Sequence, residues 1–297
     1  MDLDHLSLFK DIVSHRSISR GAKEHGVTQS AASQAVQEFE RALEIRLLDR
    51  SRRPLEVTDA GRLLYDFARD VLRRQQRFRS ELEDLREEPA GIVRIASIYS
   101  VGLSEMSRLE KTFHSRLPRG RLEVDYLRPE KVYEAVLEDR ADLGLVSYPE
   151  AGRELVVLGW REEPMVLAAA PSHPFSRLGR IRVADLDQAE FIGFDDDLPI
   201  SHHIERFLRD AGVQVRRRLH FDNIQSMKEA LLTGQAVAIL PAPMLRAETA
   251  DGRLRAIKLV PSLNRPLGIV HRRRPLARTV QIFLEVLRSP SVEQPAA

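Results

Sequence analysis

The stretch Ser17-Ile18-Ser19-Arg20-Gly21-Ala22-Lys23-Glu24-His25-Gly26-Val27-Thr28-Gln29-Ser30-Ala31-Ala32-Ser33-Gln34-Ala35-Val36 decides how this 297-residue chain is read. Ser17 is placed to cap a short helix reaching about His25, and Gly26 permits the tight turn that ends it. Thr28 then sits where a second cap belongs. Ala32, Val36, Phe39 and Leu43 follow at i, i+4, i+7 and i+11, so one face of the next helix is apolar. Its opposite face carries Gln29, Ser30, Ser33, Gln34 and Gln37, all short or amide-bearing. Such a face can lie deep in a major groove, where glutamine pairs with adenine edges and serine with bases or phosphates. A plain solvated helix would show the same spacing, so the neighbouring segments must decide.

Working outward, Leu3, Leu6, Phe9 and Val13 recur at helical spacing and predict a first helix over about 4–14. On the other side, Leu47 and Leu48, then Arg50-Ser51-Arg52-Arg53-Pro54, then Leu55 and Val57 read as a two-stranded wing whose tip arginines grip phosphates. Net charge is only +2. The clustering of Arg46, Arg50, Arg52 and Arg53, rather than bulk charge, is what points to nucleic acid. Thr58 can cap a long helix over 59–88, which Pro89 and Gly91 end. Leu64, Val71, Phe78 and Leu85 lie seven apart, with Ala68, Gln75 and Leu82 offset between them. That seam can pair two copies and space two reading units on DNA, or it can pack along its own domain.

Beyond Gly91, short apolar runs alternate with helical ones. Strands are predicted over 92–97, 122–127 and 143–147, with helices over 103–116 and 130–138. A second series follows, with strands over 165–170, 191–194, 213–221 and 237–240 and helices over 201–211 and 224–233. A last strand at 267–270 and a helix at 279–288 return to the first series. Two open α/β lobes joined by two crossings form a cleft, and ligands bind there beyond the carboxyl ends of the strands.

Composition limits the alternatives. Cysteine is absent, so no disulfide or cysteine-ligated metal is possible, which fits a reducing compartment. The start lacks a basic and apolar export signal, and the longest apolar runs, such as Met165 to Pro171, are too short to span a membrane. The expected location is the cytoplasm. A metal-assisted hydrolase would draw on Asp195-Asp196-Asp197 with His202 and His203, but that set has no metal-ligand spacing, and adjacent histidines on a helix diverge. A solute-binding transport protein fits the two lobes but neither the missing signal nor the N-terminal reader.

These residues resemble the winged helix-turn-helix of LysR-type transcriptional regulators. The shared signature is Ser17 with Ala22, Val27-Thr28-Gln29-Ser30-Ala31, Ser33, Glu40, Leu47, Arg50 and Val57-Thr58-x-Ala60-Gly61. Leu48, Phe39, Gly21 and Glu44 depart from the family's usual phenylalanine, leucine, alanine and glycine. The rest is similar to that family's effector domain, through Val93-Arg94-Ile95, Ser97 to Gly102, Asp142 to Val146 and Gly234 to Pro241. The resemblance covers nearly the whole chain.

It implies an overall α/β fold class with three parts. These are an N-terminal winged helix-turn-helix (1–58), a long linker helix for dimerisation (59–89), and a two-lobed α/β effector domain of periplasmic-binding-protein type (90–297). Lobe I comprises about 90–162 and 266–290, and lobe II about 163–265. The DNA-binding residues would be Ser17, Thr28, Gln29, Ser30, Ala31, Ser33, Gln34, Gln37, Arg50, Arg52 and Arg53. Around the effector, Ser100 leads, at the place of the family's usual threonine or serine, with Ile98, Tyr99, Ser147, Pro199, Ser201, His202 and Gln225. Ser100 and Ser201 can alternatively cap their helices. The expected partners are double-stranded DNA, a small-molecule effector that is an organic anion, further copies forming a dimer and then a tetramer, and RNA polymerase. No enzymatic activity, cofactor or metal is expected. Effector closure of the cleft would re-space the DNA contacts by favouring one arrangement.

Overall fold

A computed structural model describes residues 2–49, 55–84 and 91–289. The chain divides into two compact units, Met1–Arg86 and Glu87–Ala297.

The first unit begins with α1 (Leu3–Ser14), α2 (Ile18–Glu24) and α3 (Gln29–Ala42). The strands β1 (Leu48–Asp49) and β2 (Glu56–Val57) form an antiparallel pair, and α4 (Asp59–Asp84) follows. Each helix start has a chemical cause. Asp2 accepts the His5 N–H, the Ser17 hydroxyl that of Arg20, and the Thr28 hydroxyl that of Ala31. Gly26 turns the chain between α2 and α3 at φ 63°. Leu6, Phe9, Ile12, Ala22, Ala32, Val36 and Phe39 close the core with Leu47, Leu48, Leu64 and Ala68. At Gly21 a Cβ would lie 2.8 Å from the Ile12 backbone, so glycine lets α2 approach α1 more closely than alanine would.

This unit departs from the sequence pattern in two places. The apolar spacing puts Leu43 on the buried face of α3, but the helix ends at Ala42 and Leu43 is exposed. The chain turns away at Glu44, whose φ of 54° is a left-handed conformation that costs a non-glycine residue about 1–2 kcal/mol. Glu44→Gly is therefore expected to stabilise this unit by up to about 1 kcal/mol once glycine's greater unfolded entropy is subtracted. Thermal unfolding of the two proteins checks it.

The heptad seam of α4 departs from that pattern too. Leu64 and Ala68 are buried in the unit's own core, with Val71 packed against it, so the first half of the seam serves the domain itself. Phe78 and Leu82 farther along are exposed, as are Leu63 and Phe67 on another face. Leu85 lies outside the described residues.

The second unit carries one mixed sheet. Its elements in order are β3 (Ile92–Ile98), α5 (Tyr99–Arg116), β4 (Arg121–Leu127), α6 (Pro129–Leu137), β5 (Leu143–Ser147) and β6 (Leu155–Ala169). Then come β7 (Arg180–Arg182), β8 (Glu190–Phe194), α7 (Pro199–Asp210), β9 (Arg216–Phe221), α8 (Ile224–Leu231) and β10 (Val237–Pro241). α9 (Arg246–Ala250), β11 (Arg255–Arg272) and α10 (Arg278–Arg288) complete it. Strand order is β4-β3-β5-β11-β6-β10-β8-β9, with β7 beside β11. The outer strands pair in parallel, β4-β3-β5 at one end and β10-β8-β9 at the other. Two hydrophobic cores, one per lobe, lie under them.

The lobes are joined by β6 and β11, which are much longer than the expected strands at 165–170 and 267–270. They pair antiparallel from Arg255↔Ala169 to Arg272↔Leu155. Charged residues and Pro164 and Pro266 break the apolar pattern at their middles, which is why the sequence shows only their ends. Proline is tolerated because β10 covers β6 only from Met165 on and β5 covers β11 only from Leu267 on. Between those limits no third strand flanks either one, although the Tyr148 N–H donates to the Pro266 carbonyl, and a missing N–H can face outward. The helix expected from Leu103 begins at Tyr99. Gly102 lies inside it because a Cβ there would come 2.0 Å from the Tyr126 ring.

Candidate functional sites

On the first unit, α3 presents Gln29, Ser30, Ala31, Gln34 and Gln37 to solvent, with Ser33 half-buried beside them. Thr28 spends its hydroxyl on the cap and on Ser30 Oγ, 2.9 Å away. Ser17 spends its own on α2. Arg50, Arg52 and Arg53 lie outside the described residues. The wing is tied to α3 by Glu40, whose carboxylate accepts the backbone N–H groups of Leu47 (2.9 Å) and Leu48 (3.2 Å). It is tied to α4 by Thr58, whose hydroxyl donates to the carbonyls of Arg46 and Leu47. The sequence reading missed Glu38, one turn beyond Gln34, which accepts a hydrogen bond from the Gln34 amide at 3.2 Å.

On the second unit, a cleft opens between the lobes. Ile98, Leu127, Phe194, Leu198 and Ile200 give it apolar walls, and Ser100, Ser147, Arg128, Asn223, Asp222 and Arg265 its polar groups. Of the residues expected from the sequence, Ile98, Tyr99, Ser100, Ser147 and Pro199 line it. Ser201, His202 and Gln225 do not. Ser201 is buried on the inner side of α7 and donates to the Phe194 carbonyl, His202 faces solvent, and the exposed Gln225 bonds Glu229. Each lies only a residue or two along its helix from a neighbour that does line the cleft.

Four helices, α5 to α8, begin at this cleft. Tyr99, Pro129, Pro199 and Ile224, their first residues, all line it. Asn223 caps α8 by accepting the Ser226 N–H at 2.8 Å. At the other three, Ile98, Arg128 and Leu198 supply no side-chain cap. First-turn N–H groups and the positive ends of the helix dipoles thus converge on one space, a setting that favours an anion.

Arg265, which the sequence reading missed, is the most deeply buried charge there, at 1% exposure. It sits on β11 directly opposite Glu163 on β6. One Nη donates to Ser100 Oγ at 2.9 Å and the other to Glu163. Its Nε has no hydrogen-bond partner. The chain of charges continues. Arg161 bonds the second Glu163 oxygen at 2.9 Å and pairs with Glu105 at 3.1 Å, and Arg108 reaches Glu105 at 2.9 Å. Burial alone would push the Glu105 carboxyl up, but hydrogen bonds from Arg161 and then Arg108 outweigh it and hold it below the usual carboxylate range.

Two contacts bridge the lobes at the rim. Arg128, preceding α6, bonds Asp197, preceding α7, at 2.6 Å. The Tyr148 ring stacks on His203 of α7 at 3.7 Å and 7°. Burial pushes the Tyr148 hydroxyl up to about 12. Burial, then Arg206 and His202, lowers His203, so the neutral imidazole is favoured in the stack. The three consecutive aspartates are dispersed: Asp195 meets His220 at 2.6 Å, Asp196 meets Arg217, and Asp197 meets Arg128. Among the described residues no group of three or more histidine, cysteine, aspartate or glutamate side chains could hold a metal ion. No described helix is long and apolar enough to cross a membrane.

A winged helix-turn-helix followed by a two-lobed α/β domain defines a ligand-responsive DNA-binding regulator. The chain belongs to the LysR family. Residues 3–62 match the bacterial regulatory helix-turn-helix protein, lysR family, and residues 86–290 the LysR substrate binding domain. It is 28% identical over 302 residues to the HTH-type transcriptional regulator PtxR of Pseudomonas aeruginosa, spanning 99% of this chain and 95% of that one. It is 24% identical over 254 residues to the RuBisCO operon transcriptional regulator of Allochromatium vinosum, spanning 86% and 84%. Among solved structures, a full-length OxyR variant from Pseudomonas aeruginosa matches with a TM-score of 0.74 at 18% identity, covering 98% of this chain and 99% of that one. Full-length CbnR complexed with its target DNA matches with 0.71 at 20%, covering 97% and 99%. The protein is a LysR-type, DNA-binding transcriptional regulator with an effector-binding domain.

Proposed function

We propose that this regulator reads its operator through α3 while the wing arginines hold phosphates, and that its effector is a small organic anion taken up between the lobes. The observation that carries the effector reading is the convergence of three side-chain-uncapped helix starts with Arg128 and Arg265 on one apolar-walled cleft. It works as a homodimer, and as a tetramer built from such dimers. The exposed Phe78 and Leu82 on the far part of α4 provide the apolar contact between copies. It acts in the cytoplasm, through RNA polymerase, and without catalysis or a cofactor.

Genome-wide mapping of the sites it occupies identifies the genes it controls, and their substrates nominate the anion. Binding is then read from Trp160, the sole tryptophan. Its indole N–H donates to the Leu287 carbonyl at 2.6 Å and Arg161 lies over its ring at 4.4 Å, so it reports on the strand that joins the lobes. A saturable fluorescence change with the nominated anion, lost in Arg265→Met, is the expected result. No response to any anion of the controlled pathways would defeat the effector reading while leaving DNA binding intact.

For the wing, replacing Arg52 or Arg53 with alanine is expected to weaken binding to all duplexes alike. Each lost phosphate contact should also flatten the slope of log affinity against log salt by about 0.9. Titrations at several salt concentrations measure it.

A further inference from the structure

Gln34 lies near the centre of the solvent face of α3, flanked by Ser30 and Gln37. Glu38, one turn on, is rotated about 40° from Gln34 around the helix axis. Its carboxylate accepts from the Gln34 Nε2. The polarity of this bond is fixed by chemistry, because an ionised carboxylate only accepts, so the amide nitrogen of Gln34 must be the end that meets it. A free glutamine can present its amide either way round. One gripped in this manner keeps its oxygen and its second N–H side by side, turned away from Glu38.

We propose that Glu38 is a positioning residue that locks Gln34 into a donor–acceptor pair suited to adenine. This rests on α3 being the base-reading helix. In the major groove adenine offers N7 as an acceptor beside N6–H as a donor. The free Nε2–H of Gln34 matches N7 and its Oε1 matches N6–H, with the other Nε2–H already held. A carboxylate at this place also has a cost, since it repels nearby phosphates and weakens binding to every sequence. Glu38 thus trades affinity for discrimination. Its place beside Gln34, one turn farther along the helix, suits a residue that acts through its neighbour.

The test uses the full-length protein. Sites selected from randomised duplexes by the unaltered protein give the base preferences, and competition between single-base variants of the selected site measures each one. Gln34→Ala identifies the base pair that Gln34 reads, where a bidentate contact is worth about five- to 150-fold. Glu38→Ala and Glu38→Gln should each reduce discrimination at that same pair several-fold, while raising affinity for random duplex. The Gln34→Ala/Glu38→Ala double variant should discriminate no worse than Gln34→Ala. Circular dichroism and melting of every variant show that α3 is intact. Unchanged discrimination at that pair in Glu38→Ala overturns the proposal, as does lost preference at a different pair or an additive loss in the double variant. Should Gln34→Ala remove no preference at all, Gln34 reads no base and the role of Glu38 falls with it, while base reading by Gln29 or Ser33 is left standing.

Discussion

Arg265→Met is expected to destabilise the effector domain by about 3 kcal/mol, the lower end of what breaking a buried ion pair costs. The substitution keeps most of the volume and removes the charge. Glu163, at 3% exposure, then loses one of its two arginines and keeps only Arg161. Ser100 loses the donor that holds its hydroxyl. Adding Glu163→Gln should restore part of the loss, because a neutral amide is far cheaper to leave in that place than a carboxylate. Chemical unfolding followed by Trp160 fluorescence measures both variants. Equal stability of Arg265→Met and the unaltered protein would show that the network is not held by this pair. The pH dependence follows from Glu105. A folded-state pKa below the unfolded value contributes stability that is present above the unfolded value and lost as pH falls through the folded one. The unaltered domain should accordingly weaken below about pH 4.5, whereas Glu105→Gln should be flatter across that range.

Gly61→Ala should cost the DNA-binding unit about 3 kcal/mol and abolish specific DNA binding, although only one methyl group is added. A Cβ at Gly61 would stand 2.1 Å from the Leu47 carbonyl oxygen and 2.8 Å from Val57 Cγ1. The first neighbour is backbone and cannot rotate aside, so α4 must separate from the wing. That movement would also pull Thr58 from the carbonyls of Arg46 and Leu47 and disturb the seat of the β1–β2 pair. Gel-shift titration and thermal unfolding together check it. Normal DNA affinity in a variant of normal stability would show that the wing does not depend on this contact.

The first unit was legible because its determinants are local. Caps at Ser17 and Thr28, a turn at Gly26 and an apolar face through Ala32, Val36 and Phe39 act over a few residues each, and the helices start where those residues place them. In the second unit β5, β8 and β10 were legible for the same reason, as short apolar runs, and β4 through the alternation of Leu122, Val124 and Tyr126 with charged residues. The strands joining the lobes were not, since Arg161, Glu162, Glu163 and Pro164 on one and Asn264, Arg265 and Pro266 on the other look like loop. Their charges satisfy one another across a register that appears only once two segments a hundred residues apart are aligned. A complementary pair of charge-rich breaks within otherwise apolar strands was the available signal. For the cleft, the sequence located the starts of α6, α7 and α8 to within two residues and that of α5 four residues late, but not the facing of residues one step inside them, so Pro199 lines the space and Ser201 does not.

If the effector is an organic anion, as proposed, the salt bridge between Arg128 and Asp197 decides how it is weighed on entry. Its guanidinium already has a carboxylate for company, so an entering carboxylate replaces one negative neighbour with another and gains little from attraction alone. Discrimination among acids of equal charge then falls to the fit of their carbon skeletons against Leu127, Phe194 and Leu198. Entry of the proposed anion at Arg128 would free the solvent-exposed Asp197 and undo one contact that ties the lobes together at the rim.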